Sequence, residues 1–375
     1  MEKKNNLDPQ YNNLLKDILE NGVKKQTRNG DTLSVFSRQI RHNMSDGFPL
    51  LTGKKLYFKG IVTELLWFLK GDTNIKFLVD NDCHIWDGDA YKNWCRQFEV
   101  DPNNFDAEEL AKGHNDQCWG YPILDHVKPT SKEYKRGQIN AYLEGKADKP
   151  FFYFTKEEFI NKIKTDDEFA KKWGDLGPIY GKQWRYWDCK IVEWNEGSKG
   201  GFTVHQKYID QIQNLINYIR TNPDSRRLMV SAWNVGELDQ MTLPPCHNFW
   251  QMYSSVKEEK RYLSMMVNIR SNDVPLGLPF NISSYGLLLE IISRLVNMIP
   301  DELIINIGDA HIYLNQIEGI KEQLIRKPYP LPKLVFNNQI YFSDNIDEFL
   351  NSCLITDFTV ENYQSHPSIK LPLSN

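Results

Sequence analysis

The chain has 375 residues, of which 41% are hydrophobic and 13% aromatic, and its formal net charge is −4. This composition excludes a disordered chain, and no apolar run approaches the ~20 residues that a membrane-spanning helix needs. Met1 to Leu7 is polar and lacks the apolar segment of a secretion signal. The small negative charge gives no general attraction to nucleic acid, so an anionic ligand must be bound by local arginines. We therefore expect a soluble cytoplasmic protein whose partners are small molecules.

Six scattered cysteines show neither a disulfide framework nor the spacing of a zinc site, which indicates a reducing compartment and no metal. Cys246 differs from the others because it follows Pro244 and Pro245, whose fixed φ angles make a rigid lead-in, and because His247 and Gln251 come soon after it. From these residues alone, Cys246 is either a held nucleophile or a buried small hydrophobe, which is the commoner role of an intracellular cysteine.

Hydrophobic periodicity and turn signals divide the chain into helices and strands. The predicted helices cover residues 11–22, 61–69, 75–79, 159–169, 208–220 and 284–297. The predicted strands cover residues 33–40, 228–233, 262–269 and 303–307. Residues 88–172 carry charged short helices and few apolar stripes, so we expect an insertion on the surface of a main core, with a separate small domain as the alternative.

Polar residues that suit ligand binding lie in loops and at the ends of the predicted strands. Arg28 lies in a turn-rich loop and is a candidate anion ligand. Arg226 and Arg227 are adjacent, and neighbouring side chains of a strand point to opposite faces. Both can bind one anion only if the backbone is irregular there or if the site is shared between two subunits. His311 and Tyr313 are expected to face the same side of an extended segment.

Two further features are open to more than one interpretation. Glu64 lies within the apolar helix 61–69, where a buried carboxylate is costly, so it either faces solvent or is retained for function. The glycine-punctuated segment 174–181 allows its backbone to approach a ligand closely, although it lacks the spacing of a phosphate loop.

Taken together, these residues resemble the thymidylate synthase family. The resemblance rests on Pro244-Pro245-Cys246-His247, Arg226-Arg227 and Leu276 to Asn281. Further matching segments are residues 27–36, 47–55, 64–74, 174–185, 308–313 and 362–370. The resemblance implies an α/β (α+β) fold in which helices flank a mixed sheet, with one catalytic domain over residues 1–375 that carries an insertion at about 88–172. It also implies a homodimer, with sheets packed across the interface, that binds dUMP and the cofactor methylenetetrahydrofolate.

The resemblance also assigns roles to individual residues. Cys246 matches the nucleophile that adds to C6 of the pyrimidine, and the matched catalytic partners are Glu64, Tyr180, Arg270 and Asp273. The matched substrate ligands are Arg28, Arg270 and Ser271 for the phosphate, Arg226 and Arg227 for the same phosphate from the partner subunit, His311 and Tyr313 for the deoxyribose hydroxyl, Asn281 for the base, and Gln251. The matched folate contacts are Trp86, Asp273 and Lys54.

The chemistry of the reaction explains these residue types. Carbon-5 of uracil is a poor nucleophile until a thiolate adds at C6 and makes an enolate, which can attack a one-carbon iminium. A guanidinium near Cys246 would favour its thiolate form, and an acid must meet the charge that develops on O4; the resemblance implies Arg270 and a water network around Glu64 for these two tasks. A phosphate dianion suits several arginines, which bind it through bidentate hydrogen bonds.

Three departures from the family pattern favour a phage-type dUMP hydroxymethylase over a thymidylate synthase. Asn268-Ile269 stands where synthases read Tyr-Gln, Asp89 replaces an aromatic residue, and the chain ends in Leu373 to Asn375 instead of an Ala-Val-like sequence. We expect these changes to admit a water, with Asp89 as the residue that positions it, so that water and not hydride completes the reaction. Thymidylate synthase is the alternative.

The choice of base and the remaining alternatives depend on the same residues. An Asn281 amide can accept from N3–H of uracil and donate to O4, which favours dUMP, although a flipped amide would serve a dCMP hydroxymethylase. A cysteine hydrolase that uses His247 leaves the arginines without a role. A non-catalytic nucleotide- or RNA-binding protein has no need of Cys246 together with Glu64 and Tyr180.

Overall fold

The computed structural model describes residues 5–27, 29–97, 137–139, 141–142, 144–150, 154–195 and 201–374. Arg28, Asn375 and much of the predicted insertion lie outside these ranges. The chain divides into two compact units, one formed by residues up to Thr73 together with those from Pro178 onward, and the other by Asn74–Gly177. A search of the described ranges finds no helix with the length and apolar character that spanning a membrane requires.

The helices of the described ranges, numbered along the chain, are α1 (Leu7–Asn21), α2 (Phe58–Leu69), α3 (Lys76–Asp80), α4 (Asp87–Gln97), α5 (Lys156–Thr165), α6 (Asp167–Trp173), α7 (Tyr180–Arg185), α8 (Gln211–Thr221), α9 (Gly277–Leu295), α10 (Ile317–Leu324) and α11 (Ile346–Ser352). The strands are β1 (Val23–Thr27), β2 (Gly30–Asn43), β3 (Trp187–Asn195), β4 (Gly201–Ile209), β5 (Met229–Ser231), β6 (His247–Lys257), β7 (Lys260–Asp273), β8 (Ile299–Tyr313), β9 (Lys333–Phe336) and β10 (Phe358–Glu361).

The first unit is built on a mixed sheet. Within the described residues its strand order is β1-β2-β8-β7-β6-β5, and all neighbours are antiparallel except β7 and β8, which are parallel. Helix α9 packs on β7 and β8, and α1 packs on β2. The predicted mixed α/β class, with a mixed sheet flanked by helices, is confirmed.

The two faces of this sheet differ in burial. Residues that pair across neighbouring strands form rows on the sheet. One row lies on the helix-covered face, and all of its side chains are buried: Ile40, Ile305, Val267, Trp250 and Val230. The neighbouring row lies on the opposite face and contains Ile304, Met266, Gln251 and Met229. That face is more accessible, since Met229 is 48% exposed and Tyr253 is 69% exposed. The hydrophobic core therefore lies between the sheet and its helices.

A kink crosses the sheet where the candidate site begins. The buried side chains of β8 shift their alternation at Gly308, since they are Leu303, Ile305, Ile307, Ala310 and Ile312. Strand β7 shows the same shift between Ile269 and Asn272, and Ser37, opposite Gly308, has a φ of 60°. A regular strand alternates strictly, so these shifts mark an irregular backbone that changes the direction of the side chains beyond it.

The predicted elements occur with different boundaries. The helix predicted over 208–220 starts at Gln211, because Tyr208 and Ile209 belong to β4 and the side chain of Asp210 caps the helix by accepting from Gln213 N. The helix predicted over 159–169 is two helices, which meet at Asp166, whose φ of −135° is not helical. The hairpin of β3 and β4, most of whose residues are exposed, was not predicted.

The second unit has an aromatic core of its own. Tyr91 and Trp94 stack with 5.6 Å between ring centroids, and Phe159 packs at 5.3 Å from Trp94. Trp86 is buried just before α4, and Asp89 lies in the first turn of that helix, where burial raises the pKa of its carboxyl. The unit spans Asn74–Gly177, a wider range than the predicted insertion at 88–172.

Candidate functional site

Cys246 lies immediately before β6, on a backbone held from two sides. Its N–H donates to the phenol oxygen of Tyr180 at 2.8 Å, and its carbonyl accepts from the N–H of Arg270 at 2.8 Å. The thiol is half-buried and is not part of a disulfide. The first turn of α7 and the end of β7 therefore position this thiol, and the alternative in which Cys246 is a buried hydrophobe is not supported by its exposure.

Arg270 forms hydrogen bonds to the two prolines that precede Cys246. Its Nε donates to the carbonyl of Pro245 at 2.9 Å, and a terminal nitrogen donates to the carbonyl of Pro244 at 2.8 Å. The guanidinium lies over the ring of Trp233, at 5.5 Å from the centroid. These bonds use two of the five N–H donors of an arginine. The same cation therefore orders the loop of the nucleophile and remains able to contact an anion.

A buried layer of ionisable groups lies behind Cys246. The His247 ring stacks on Tyr180 with 4.2 Å between centroids, and its Nδ1 lies 2.7 Å from the hydroxyl of Tyr285. Burial lowers the pKa of His247 to about 3, so the ring is neutral at physiological pH and is a weak base. A cysteine hydrolase needs a histidine that accepts the proton of the thiol, and His247 does not have that character.

Glu64 faces this same layer. It is buried within α2 and does not face solvent, so the first of the two interpretations left open by the sequence is wrong. The pKa of Tyr180 is raised well above its usual value by burial first, and then by the charges of Cys246, Tyr285 and Glu64. Burial and Glu64 likewise raise the pKa of Tyr285. Both phenols therefore stay protonated beside a buried carboxyl group.

Beyond the kink, polar side chains line a cavity of about 220 Å³. The lining residues are Lys25, Thr27, Asn29, Thr32, Ser271, Asp309, His311 and Tyr313. Three of them, Ser271, His311 and Tyr313, are sequence-predicted substrate ligands. The prediction that His311 and Tyr313 lie on an extended segment is confirmed, since both belong to β8.

Sequence reasoning missed the residues that organise this cavity. Asp309 accepts from Lys25 Nζ at 2.9 Å and from Ser34 at 3.0 Å, and it lies 3.1 Å from Nδ1 of His311. These hydrogen bonds lower the pKa of Asp309 although burial opposes the change. Asp309 was detectable in principle, because it precedes His311 by two residues on the same strand and so shares its face.

A second corner of the site contains Asp273, Asn281 and Lys54. Asp273 accepts from the N–H of Leu276 at 3.2 Å and from Gln316 Nε2 at 3.0 Å, while burial raises the pKa of its carboxyl. Asn281, in the first turns of α9, accepts from Asn272 Nδ2 at 2.8 Å.

Lys54 is buried and donates to the carbonyl of Pro275. Burial lowers the pKa of its ammonium group to about 8, and the nearby carboxylate of Asp273 opposes this change. Gln316 was not predicted as part of this corner.

Other predicted residues lie elsewhere. Trp86 and Asp89 belong to the second unit, and Arg28 lies outside the described residues. The side chain of Gln251 is on the accessible sheet face and does not line the cavity. Arg226 and Arg227 are exposed in a turn before β5, so the backbone there is irregular, and neither makes an ion pair with a described residue.

The glycine-rich segment 174–181 was expected to bring backbone close to a ligand, but Gly181 has a packing role. A Cβ added to it would lie 2.8 Å from the carbonyl oxygen of Phe68 and 3.0 Å from that of Asp72. The missing side chain allows α7 to approach the end of α2.

The family model described as thymidylate synthase matches residues 9–375. The chain belongs to the thymidylate synthase family. Among curated members, it is 41% identical to the thymidylate synthase of Mycoplasma mobile, over 96% of this chain and 98% of that protein. It is 40% identical to the enzyme of that name from Mesoplasma florum, over 96% and 97% of the two chains. A Listeria monocytogenes thymidylate synthase is 38% identical over 97% and 99%.

Membership of this family indicates a one-carbon transferase. The expectation of a phage-type hydroxymethylase is not supported, because the three relatives given above, which match nearly the full length of the chain, are named thymidylate synthase. The family finding favours the alternative given with that expectation.

Proposed function

We propose that the protein is a thymidylate synthase that converts dUMP to dTMP with methylenetetrahydrofolate. The observation that carries the proposal is the position of Cys246 between Tyr180, Arg270 and a buried carboxyl group, in a chain that matches the family over nearly its whole length. This arrangement supplies a held thiol and a proton donor together, which the activation of C5 of uracil requires.

Cys246 is the nucleophile that adds to C6 of the base. Its main-chain bonds to Tyr180 and Arg270 fix the loop before substrate arrives, so little ordering remains to be done during the reaction. The guanidinium of Arg270 stabilises the thiolate form and contributes to phosphate binding, together with Ser271. Arg28 is proposed as a further phosphate ligand.

Glu64 and Tyr180 handle the protons of the reaction. Because the pKa of Tyr180 is raised by burial and by nearby negative charge, its hydroxyl remains a neutral donor throughout the physiological range. Glu64 is buried beside it and exchanges a proton with the O4 side of the base through ordered water. The same groups, the Tyr180 hydroxyl, the Glu64 carboxyl group and the ordered water, also remove the proton from C5.

The sugar and the base are read by separate side chains. His311 and Tyr313 bind the deoxyribose hydroxyl, and Asp309 holds the His311 ring in place. Asn272 donates to the amide oxygen of Asn281, which leaves the NH₂ group of Asn281 to donate to O4 and a lone pair of the oxygen to accept from N3–H. This orientation matches uracil and supports dUMP as the substrate.

The residues of the Asp273 corner fit a folate. When bound, methylenetetrahydrofolate supplies the carbon and the hydride of the new methyl group. Asp273 is a half-buried carboxyl group whose two oxygens are oriented by Leu276 N–H and Gln316, which suits the N–H donors of a pterin ring. Lys54 offers a cation on the same side. Trp86 remains a predicted folate contact.

Two of the three sequence departures have packing explanations that involve no water. Ile269 is fully buried on the helix-covered face of β7, and Asn268 accepts from Asn306 Nδ2 at 3.2 Å across the sheet. At the tail, Ser374 accepts from Asn315 at 3.2 Å, so a polar terminus is fastened to the protein. Asp89 as a water-positioning residue remains a prediction.

We further propose that the active form is a cytoplasmic homodimer of single catalytic domains. The accessible sheet face carries Met229, Met266 and Ile304, which a second copy would cover. Arg226 and Arg227 are exposed and free of described ion-pair partners, so they can contact the phosphate in the partner subunit.

The test is to incubate the purified protein with dUMP and methylenetetrahydrofolate, and to record dihydrofolate absorbance together with the mass of the nucleotide product. We expect dihydrofolate and a product of the mass of dTMP, no reaction with dCMP, and no turnover by Cys246→Ala. A hydroxymethyl product without dihydrofolate would establish the hydroxymethylase instead. Nucleotide binding without release of tritium from carbon-5 would indicate a protein that has lost catalysis.

A further inference from the structure

Gln316 joins three separate parts of the first unit through one buried amide. It ends the short turn Leu314–Gln316 after β8, and its side chain is 0% exposed. Its Oε1 accepts from the N–H of Tyr313 at 3.1 Å. Its Nε2 donates to Asp273 Oδ2 at 3.0 Å and to the carbonyl of Pro372 at 3.2 Å. Both N–H donors of the amide are therefore in use.

The C-terminal tail that Gln316 binds lies close against α10. A Cβ added to Gly319 would lie 2.4 Å from Cδ2 of Leu371 and 3.0 Å from Cγ2 of Ile369, so the tail can take this path only past a glycine. Asn315 Nδ2 donates to Ser374 at 3.2 Å, which fastens the tail beyond Pro372. The tail thus meets α10 and the preceding turn at several points.

We propose that Gln316 is a positioning residue that couples the docking of the C-terminal tail to the orientation of Asp273 in the folate site. The amide of Gln316 donates to Asp273 and to the carbonyl of Pro372 at the same time. The docked tail therefore holds the amide in the position from which it also donates to the Asp273 carboxylate. The coupling is reciprocal, because a folate that needs the oriented Asp273 also favours the docked tail. The role of Asp273 toward folate rests on the proposed function.

The alternative role for a buried amide is purely structural, and the geometry gives a reason to look further. The oxygen of the amide is fastened within the turn by Tyr313 N–H, and a buried amide of any role also needs partners for its two N–H donors. The two donor hydrogens go to a carboxylate on β7 and to a carbonyl near the chain end, 43 and 56 residues away in sequence. Loss of the donors alone is therefore the informative change.

The experiment compares Gln316→Glu and Gln316→Met with the wild-type protein, and uses Asn315→Ala as the matched control. Glu keeps an oxygen for Tyr313 N–H, loses both N–H donors and brings a second carboxyl group against Asp273. Met keeps the length of the side chain, adds no charge and loses all three bonds. Asn315→Ala loses one contact to the tail but none to Asp273. Urea unfolding of each variant identifies those that are folded, and a variant that is not folded is replaced by the other.

Two measurements report on the coupling. Trypsin cleavage after the exposed Lys370 measures release of the tail and needs no turnover. The KM for methylenetetrahydrofolate, compared with the Kd for dUMP, measures whether folate binding is affected separately from nucleotide binding. One buried hydrogen bond corresponds to roughly a threefold to tenfold change in an equilibrium constant, and Gln316→Glu loses one bond to the tail and one to Asp273. We therefore expect changes of at least that size in the cleavage rate and in the KM of Gln316→Glu. The Kd for dUMP should change by less than about twofold, as the Tyr313 bond is kept.

A truncated protein that ends at Leu371 completes the test. If Gln316 acts through the tail, the folate effect of Gln316→Glu shrinks in the truncated protein, whereas fully additive effects would refute the coupling. Wild-type cleavage and wild-type KM in both Gln316 variants would also overturn it. Failure of the proposed function is distinguishable, because it appears as absence of dihydrofolate from the wild-type protein, while the cleavage rates still decide whether Gln316 holds the tail.

Discussion

Several residues of the candidate site carry or lack charge because of burial. Lys54 and Asp273 lie close enough for the charge of each to favour the ionised form of the other, yet burial outweighs this attraction and shifts the pKa of both toward the neutral form. His247 is neutral for the same reason. Buried ionisable groups of this kind reduce stability and are typical of sites that bind ligands. Their pH dependence therefore offers a test that requires no substrate.

Lys54→Met should change how stability depends on pH. The folded pKa of about 8 lies below the unfolded value of 10.5, so the unfolded chain binds the proton more tightly between these values. Wild-type stability should therefore rise with pH through this window, and the Met variant should lack that rise. At pH 7 we expect Lys54→Met to be more stable than wild type by at most about 3 kcal/mol, less the lost bond to Pro275.

The measurement is urea unfolding between pH 7 and 10. The control is Lys55→Met, which alters the exposed neighbour and should follow the wild-type profile. Parallel profiles for wild type and Lys54→Met would contradict the expected shift. We also expect the Met variant to bind folate less tightly, as measured by its KM.

At the scale of secondary structure, the kink in the sheet separates packing from chemistry. Before Gly308, the alternate residues of β8 fill the core under α9. Beyond it, Asp309, His311 and Tyr313 line the cavity. Because Gly308 has no side chain, β8 can lie close to the carbonyl oxygen of Arg270 in β7 at this point. The kink therefore also affects the position of the Arg270 backbone.

Gly308→Ala should disturb the site through the backbone. The added Cβ would lie 2.7 Å from the carbonyl oxygen of Arg270, a contact that backbone can relieve only by moving. Overpacking of this kind costs about 1–3 kcal/mol of stability, measured by urea unfolding. Because displacement of Arg270 alters the loop of Cys246, we expect kcat/KM to fall by roughly tenfold or more.

Gly201→Ala is the matched control for this change, since a Cβ on Gly201 in β4 meets no atom within 4 Å. It should leave both stability and kcat/KM near their wild-type values. An equal effect of the two substitutions would mean that loss of glycine, and not the contact with Arg270, is responsible.

At the scale of the whole molecule, the proposed homodimer would add arginines to the proposed phosphate site. The cavity lined by Ser271 and His311 has Lys25 as its only lining cation among the described residues, and Lys25 is already paired with Asp309. Arg226 and Arg227 are exposed before β5, at the far edge of the sheet from β1 and β2. A second copy packed on the accessible sheet face would bring such arginines to a phosphate in its partner.

A mixing experiment tests this sharing of residues. Arg226→Glu and Cys246→Ala should each have little activity, and a mixed dimer of the two contains one site with both Cys246 and Arg226 intact. After random reassociation, about a quarter of all sites should be intact, so the mixture should recover about a quarter of wild-type activity. Activity that stays at the sum of the separate variants would show that Arg226 serves its own subunit.

The sequence by itself predicted several of the main helices and strands of the first unit and marked Cys246 as the candidate nucleophile. Helical and strand periodicity reports which side chains are buried locally, so the helix α2, the helix α9 and the central strands were predicted near their positions. The rigid proline lead-in marked Cys246 as unusual before any contact was known. The hydroxymethylase expectation is not supported by the family comparison, and one departure on which it rested, Ile269, has its side chain in the core.

Only the tertiary structure decided which distant residues act together. Lys25 and Asp309 are 284 residues apart, and Gln316 reaches both Asp273 and Pro372, so no local pattern links these partners. The kink at Gly308 likewise depends on a close approach between two strands. The physical reason is that periodicity encodes the burial of a single element, while hydrogen bonds between elements depend on strand order, register and the path of the tail, which form only when the whole unit folds.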